Sequence, residues 1–277
     1  ATSNNKAEWR STYGESPEYV LFGDWQVCFQ TYADLYKLDP DTIKIARARE
    51  VMEYQMSTSK LDYWHWVDAL YMVMPVMVKM YDITKNPLYL EKLHQYLTVT
   101  DSIMYDREVG LYYRDAKYPY PFHKTINGKK DFWSRGDGWA FAAFAKVLKQ
   151  LPAEDKYREE YITRFQTMAK SIAACQQPEG YWTRSLIDPE QAPGPETSGT
   201  ALFTYGFLWG INNGLLNADI YSPIVEKAWN YLKTTALQAD GKIGYIQPVG
   251  EKAIPGQVVD ANSCLLYTSP SPRDPKT

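Results

Sequence analysis

Cysteine and histidine are scarce in this 277-residue chain, with three of each. Cys28, Cys175 and Cys264 lie too far apart for a metal-binding motif, and their odd number argues against a disulfide framework. No two histidines have the spacing of a zinc site, and neither a nucleophile elbow nor a phosphate-binding loop is present. The sequence therefore predicts no metal site.

Strong charge and long apolar runs are also lacking. The net charge of −3 provides no basic field that would attract nucleic acid. No apolar run approaches the roughly 20 residues that a membrane-crossing helix needs, so we expect no membrane partner. The chain starts at Ala1, without a signal peptide, and we expect a leader or N-terminal segment to be missing. A cytoplasmic and a periplasmic location both stay open.

Aromatic residues, in contrast, are abundant: they make up 15% of the chain, with 23 tyrosines and 9 tryptophans. Such a composition suits a protein that stacks flat, partly apolar ligands such as sugar rings. The alternative, that the rings fill a core, applies to more than half of them.

Helical periodicity dominates the chain, and no stretch alternates as a long strand would. Short links that contain proline or capping residues separate the periodic segments. The predicted class is all-α, with helices at about 24–37, 41–58, 67–84, 88–105, 137–151, 156–176, 198–215 and 220–237.

Short and long links alternate between these helices, which predicts helix hairpins arranged in a ring or solenoid. The segments EVGLYYRDA, PEGYWTRSLIDP and DGKIGYIQPVG each place a glycine, then aromatic and polar residues, after an even-numbered helix. We interpret them as an irregular internal repeat, each forming a glycine turn and a short hairpin.

The odd-numbered helices begin with unusual chemistry, in GDWQ, WHWVD, WSRGDGW and ETSGT. In a ring of hairpins these starts share one rim, where free N–H groups and the helix dipole favour an anionic ligand. Each acid could instead cap its own helix. We expect one cleft to be formed by Asp24, Trp25, Trp66, Asp68, Trp133, Arg135, Asp137, Trp139, Glu196 and Ser198.

Asp68 is the most informative acid, because nearly all its neighbours in WVDALYMVMPVM are apolar. A carboxyl in such surroundings tends towards a raised pKa, which suits a proton donor near neutral pH. Asp24, in LFGDWQVCFQTY, has a similar setting.

Arg135 between Trp133 and Trp139 would combine a stacking floor with a bidentate carboxylate clamp, as a uronic acid site requires. Alternatively, Arg135 pairs inside the protein with Asp137 or Glu196. His65 and His123 lie in loop or rim stretches and could contact the ligand.

Three segments together resemble glycoside hydrolase family 105, the unsaturated rhamnogalacturonyl hydrolases, which are related to the family 88 unsaturated glucuronyl hydrolases. They are DYWHWVDALYMVMPVMVKMYDIT, FWSRGDGWAFAAFAKVLKQLP and PETSGTALFTYGFLWGINNGLL. The resemblance implies an (α/α)6 barrel without a metal or organic cofactor. It implies hydration of the C4=C5 double bond of an unsaturated uronic acid at the non-reducing end of pectin-derived, rhamnogalacturonan-type oligosaccharides.

When the family's residue roles are carried over by matching motif, the resemblance implies that Asp68 is the general acid/base and Asp24 the second essential carboxylate. Trp66, Trp133, Arg135 and Trp139 match positions that contact sugar or carboxylate. Asp137 stands where the family often has Asn. Arg114 or His123 could replace the family's central-loop histidine.

A full barrel needs twelve helices, whereas the sequence predicts eight. We therefore expect one toroid domain over 1–260, incomplete at both ends, followed by a disordered, non-native-looking tail over 261–277. Two alternatives on the same fold are a conventional glycosidase that uses the Asp24 and Asp68 pair and a non-catalytic glycan-binding toroid. No protein partner is predicted to be required.

Overall fold

The computed structural model describes residues 21–250 and 252–264. The predicted all-α class is confirmed, since helices dominate and the only named strands in these ranges form one short hairpin. The helices are α1 (Gly23–Gln26), α2 (Cys28–Leu38), α3 (Ala46–Ser57), α4 (Asp68–Thr84), α5 (Leu88–Met104), α6 (Ser134–Gln150), α7 (Arg158–Ala173), α8 (Thr197–Asn212) and α9 (Ala218–Tyr231).

The eight predicted helices are all present, with shifted ends. The first is broken at Val27 into α1 and α2, where Gln30 N–H bonds to the Val27 carbonyl only three residues back. The second begins with a 3₁₀ turn, Thr42–Lys44, before α3. The last continues beyond α9 into a π-helical turn, Leu232–Ala236.

The helices form an inner row and an outer row. The inner row runs from α1 and α2 through α4 and α6 to α8, each helix packing against the next. The outer helices α5, α7 and α9 each pack against the inner helix that precedes them, and α3 packs against α5. This alternation is the arrangement of a helical toroid, in which all inner helices run in the same direction.

Pro75 lies inside α4, where its missing N–H leaves the carbonyl four residues earlier without its helical donor. The side chain of Gln30 on α2 supplies the missing bond, since its Nε2 donates to the Tyr71 carbonyl at 2.7 Å. The hydrogen bond that Pro75 removes from α4 is therefore replaced by a bond from the neighbouring inner helix α2.

The three long links after α5, α7 and α9 share one local structure. Each turns at a glycine with positive φ, namely Gly110 (79°), Gly180 (97°) and Gly241 (84°). In the first link, the turn joins strands β1 (Tyr105–Asp106) and β2 (Leu111–Tyr112) as an antiparallel pair. The irregular repeat read from the sequence therefore corresponds to a repeated turn.

Each link then runs beside the start of the preceding inner helix. The backbone N–H of Val67 donates to the Arg114 carbonyl at 2.9 Å, and that of Ser134 donates to the Arg184 carbonyl at 2.9 Å. In the last link, the backbone N–H of Thr197 donates to the Tyr245 carbonyl at 2.9 Å. The accepting residue comes four positions after the turn glycine in all three links.

Most of the predicted tail over 261–277 lies outside the described residues. Its first part, 261–264, lies within the described residues. Ile246 N–H donates to the Ser263 carbonyl at 2.9 Å, and Cys264 is buried. Ser263 therefore bonds to the last long link. The domain limits of 1–260 stay a prediction.

No helix in the described ranges is both long enough and apolar enough to span a bilayer.

Candidate active site

The repeated link geometry aligns the starts of the inner helices α4, α6 and α8. Val67, Ser134 and Thr197 are equivalent, because each donates to the corresponding residue of its link. The residues that follow them, Asp68, Arg135 and Ser198, therefore occupy one position in three repeats. Asp24 lies in the first turn of α1, and its charge acts on Asp68. Asp68 and Arg135 are thus presented by one structural position on one rim, and Asp24 lies near Asp68.

Small residues let these helix starts approach closely. A Cβ atom on Gly136 would lie 2.8 Å from Val67, the residue that precedes Asp68. A Cβ atom on Gly199 would lie 2.8 Å from the Ser134 hydroxyl. Larger side chains at either glycine would push neighbouring helix starts apart, and with them Asp68 and Arg135.

The carboxyl of Asp68 lies in a desolvated place that is still reachable from outside. The residue is partly exposed, whereas its Oδ2 atom is buried and has no hydrogen-bond partner among the described residues. Burial raises the pKa of Asp68 to about 6; the charge of Arg114 opposes the rise and that of Asp24 adds to it. A carboxyl with this pKa keeps a proton in weakly acidic solution and can donate it.

Asp24 faces the same place from α1. Its residue surface is exposed, but partial burial of the carboxyl still raises its pKa, against the opposing effects of a hydrogen bond from Trp66 and of the Arg114 charge. The indole N–H of Trp66 can only donate, so Asp24 is the acceptor of that bond. Trp66 also packs its ring against Phe22, with centroids 4.6 Å apart.

Arg114 completes this half of the site from the first long link. Its guanidinium pairs with Asp115, the residue that bridges back to Trp66, and its charge acts on both Asp24 and Asp68. Asp24, Trp66, Asp68 and Arg114 are therefore brought together as predicted, and their roles in catalysis and binding stay predictions.

Arg135 and Trp133 form the other half. Both are buried, and the guanidinium lies over the Trp133 ring at 5.5 Å. Arg135 is also the weakest of the charges that act on the pKa of Asp68, which links the two halves. Its Nε donates to the Ser198 hydroxyl at 2.8 Å, and its Nη1 donates to the Pro248 carbonyl at 3.2 Å.

Glu196 is the N-cap of α8 and is fully buried. Its carboxylate accepts from Ser198 N–H at 3.2 Å, Gly199 N–H at 2.6 Å and the Ser198 hydroxyl at 2.7 Å. Arg135 Nη2 lies 3.6 Å away. The structure thus shows the alternative left open by the sequence, an internal pairing of Arg135 with Glu196. Contact between Glu196 and a ligand is not compatible with this burial.

Asp137 also does not face a ligand. It is fully buried, its Oδ1 accepts from Tyr112 N–H at 2.8 Å, and desolvation raises its pKa well above the usual range. It does not cap its own helix, since α6 begins three residues earlier without a side-chain cap. Asp137 fastens strand β2 to α6, which corrects its assignment as a substrate-binding residue.

The remaining candidates lie around this centre. Trp25 and His65 are exposed, and His65 packs beside Trp66 with ring centroids 5.3 Å apart. Trp139 is half-buried against Tyr71, one helical turn below Arg135. These positions are compatible with the predicted sugar contacts.

His123 is placed differently. Its Nε2 lies 2.7 Å from Asp131, which also accepts from Gln191 at 3.0 Å. No hydrogen bond among the described residues connects this group to Asp68. The structure therefore favours Arg114 over His123 beside the acid.

Gln247 is a residue that the sequence did not indicate. It is fully buried, and it bonds to Trp133 and Glu196 and accepts from Arg135. The sequence offers no signal for this, because the partner Trp133 is 114 residues away along the chain.

The fold and the site together define a helical-toroid protein with a carboxyl-and-arginine cleft. Residues 3–269 match Glycosyl Hydrolase Family 88, and the chain belongs to this family. The predicted resemblance and fold are confirmed. A possible member of family GH105 from Salmonella enterica has the same fold, with a TM-score of 0.70 at 20% identity over 84% of this chain and 66% of that one.

Three relatives are more similar in sequence. Proteins named unsaturated 3S-rhamnoglycuronyl hydrolase from Alteromonas sp. (strain LOR) and Formosa agariphila are each 36% identical, over 74% and 72% of this chain. The alignments cover 48% and 54% of those proteins, so the chain spans about half their length. A solved structure named a polysaccharide lyase is 74% identical, with a TM-score of 0.88, over 95% of this chain and 74% of that one.

Proposed function

We propose that this chain carries the active site of an unsaturated uronyl hydrolase. Its reaction is the hydration of the C4=C5 double bond in an unsaturated uronic acid at the non-reducing end of an oligosaccharide. One observation carries the proposal: the Asp68 carboxyl has a pKa raised to about 6 and a buried oxygen without a partner among the described residues, at a position that solvent reaches.

The chemistry follows from that carboxyl. Protonated Asp68 gives its proton to C4 of the enol ether, and the positive charge that develops at C5 and the ring oxygen is met by water. The water adds its oxygen to C5 and returns a proton, for which Asp24 and ionised Asp68 are the available bases. The resulting hemiketal opens to a ketone at C5 and leaves a hemiacetal at C1. The hemiacetal breaks its bond to the glycosidic oxygen, which takes up a proton, so that an aldehyde forms at C1 and the remaining sugar leaves as an alcohol.

The uronic carboxylate needs a cation, and Arg114 and Arg135 are the candidates near Asp68. The Arg135 guanidinium has five N–H groups, and three of its nitrogens donate to Ser198, Pro248 and Gln247. N–H groups beyond these three bonds could bind the carboxylate. Trp66 and Trp139 supply half-buried aromatic surface for the sugar ring.

The substrate class is proposed from the relatives. The two hydrolases with 36% identity carry names that specify a rhamnoglycuronyl substrate. We infer that this protein removes an unsaturated uronic acid that is linked to rhamnose, as rhamnogalacturonan-type oligosaccharides provide. A conventional glycosidase and a glycan-binding toroid remain the alternatives to test.

A second candidate is polysaccharide lyase activity, which is favoured by the 74% identical structure of that name. A lyase removes the proton at C5 of an intact uronic acid and creates the C4=C5 bond. It needs a base at this proton, and ionised Asp68, with its pKa of about 6, could also supply that base, so an activity measurement has to decide between the two functions.

The sign of one absorbance change separates these functions. The C4=C5 bond conjugated with the carboxylate absorbs in the ultraviolet, so a hydrolase lowers the absorbance of an unsaturated rhamnosyl disaccharide. A lyase raises the absorbance of the intact polysaccharide, and a conventional glycosidase cleaves the saturated disaccharide without any change. Saturable binding without turnover of any of the three would support the glycan-binding alternative and refute the hydrolase.

A further inference from the structure

We propose that Gln247 is a positioning residue of this site: it fixes the Trp133 indole and the Arg135 guanidinium that form one wall of the uronic acid cleft. The inference rests on the proposed function in so far as it concerns substrate binding. The geometry that supports it is independent of the reaction.

Gln247 contacts three site residues with three different polar groups. Its side-chain Oε1 accepts from Trp133 Nε1 at 2.8 Å. Its backbone carbonyl accepts from Arg135 Nη2, and its backbone N–H donates to Glu196 Oε1 at 3.1 Å. A single residue therefore connects the stacking ring, the cation and the N-cap of α8.

The other end of the Gln247 amide is also occupied. Its Nε2 donates to the Lys252 carbonyl at 2.6 Å. A donor and an acceptor are thus required at the two ends of one buried side chain, and only an amide supplies both without titrating. This arrangement explains why glutamine, and not an apolar residue of similar length, stands there.

The last long link holds Gln247 in place. The Tyr245 carbonyl accepts from Thr197 N–H at 2.9 Å, and the Ser263 carbonyl accepts from Ile246 N–H at 2.9 Å. Gln247 follows directly and is fully buried, so it does not touch a substrate. It acts through Trp133 and Arg135, because its bonds hold these two side chains in one orientation before the ligand binds. Binding then costs less conformational entropy.

The test compares Gln247→Met with Gln238→Met in the full chain. Gln238 lies on the same link, and its Nε2 donates to the Thr235 carbonyl at 2.8 Å and to the Ala236 carbonyl at 3.0 Å, away from the site. On the unsaturated disaccharide, Gln247→Met should raise KM about tenfold, the equivalent of one hydrogen bond. The pH midpoint of kcat/KM should not move, because Asp68 is untouched, and Gln238→Met should keep the wild-type KM.

A second variant, Gln247→Asn, keeps the amide but withdraws it from the indole by one methylene. It should raise KM in the same direction even if the methionine variant fails to fold. An unchanged KM in a folded Gln247 variant overturns the inference. So does an equal rise in the Gln238 control, which would indicate general loosening of the link.

A measurement without turnover separates this inference from the proposed function. The indole N–H resonance of Trp133, assigned by its loss in Trp133→Phe, should shift in Gln247→Asn and stay in place in Gln238→Met. If the wild-type protein consumes no unsaturated substrate, the proposed function fails and this resonance alone decides the positioning role. An unmoved resonance refutes it.

Discussion

Arg114 faces the carboxyl of Asp68 from a different part of the chain, and a backbone hydrogen bond fixes its approach. The N–H of Val67, the residue before Asp68, donates to the Arg114 carbonyl at 2.9 Å. The acid is therefore subject to two opposing effects: burial raises its pKa, and the guanidinium lowers it again. If Asp68 is the proton donor, as proposed, these two effects give the activity a specific pH dependence.

Replacing Asp68 by asparagine should abolish the loss of ultraviolet absorbance from the unsaturated disaccharide. The amide is isosteric but cannot donate a proton to C4, so kcat should fall by about 10³-fold, the usual contribution of a positioned general acid. The matched control is Asp62→Asn, an exposed acid just before α4 whose carboxylate lies 3.8 Å from Lys60 Nζ. Full activity of Asp68→Asn would show that the acid lies elsewhere.

The pH profile gives a second prediction. The donor must be protonated and its pKa is raised to about 6, so kcat/KM should fall tenfold per pH unit as pH rises above about 6. The measurement is the initial rate at low substrate concentration from pH 4 to pH 9.

Arg114→Gln tests the origin of that midpoint. Arg114 lowers the pKa of Asp68, so its removal should move the midpoint upward by roughly one pH unit, the scale of a nearby opposite charge. Lys117→Gln is the control, because Lys117 lies in the same link and is exposed. A midpoint that moves equally in both variants, or in neither, contradicts the assignment.

The sequence allowed the helix hairpins to be predicted because their signals are local. Apolar periodicity lies within each segment, short links with proline or capping residues separate the segments, and the apolar neighbours of Asp68 indicated its raised pKa. The roles of Glu196 and Asp137 could not be obtained in this way. An acid at a helix start has the same appearance whether it faces a ligand, caps the helix as Glu196 does, or binds another element as Asp137 does.

Contacts between distant links were equally inaccessible to the sequence. Gln247 reaches Trp133 across 114 residues, and Arg114 lies beside the start of α4 in the link that contains the β1–β2 hairpin. The repeat was visible as three glycine-containing segments, but its register was not. That register, with Asp68, Arg135 and Ser198 in one equivalent position, follows from the backbone bonds of the links.

Asp137 provides a prediction about stability. Burial raises the pKa of its carboxyl well above the usual range, so the folded state binds this proton more tightly than the unfolded state. The stabilisation is complete at pH values below the unfolded pKa of about 3.9 and is lost as pH rises towards the folded pKa. Asp137→Asn avoids this loss and keeps an oxygen for Tyr112 N–H.

The variant should therefore unfold at a temperature higher than wild type by about 2–4 °C at pH 8, the shift per kcal/mol for a chain of this size, and by less at pH 4. Glu226→Gln, with an exposed carboxyl on α9, is the control in both buffers. If Asp137→Asn gains no more at pH 8 than at pH 4, the carboxyl is not held in its protonated form by burial.

Two glycines in the link after α7, Gly180 and Gly194, allow the cost of backbone conformation to be separated from the cost of packing. Gly180 has φ of 97°, and a Cβ atom there would lie 2.3 Å from the Lys227 carbonyl oxygen on α9. Gly194 has a similar φ of 89°, but a Cβ atom would meet nothing within 4 Å. Gly194→Ala should therefore cost only the conformational strain, about 1 kcal/mol.

Gly180→Ala should cost about 3 kcal/mol or more, because the link must move away from α9 as well as adopt a strained turn. The free energy of unfolding from urea titration measures both variants. Equal losses would mean that the link does not rest on α9 as closely as the structure shows. Since the same link carries Arg184, whose carbonyl accepts from the start of α6, a displaced link should also raise KM for the unsaturated disaccharide in the fraction that stays folded.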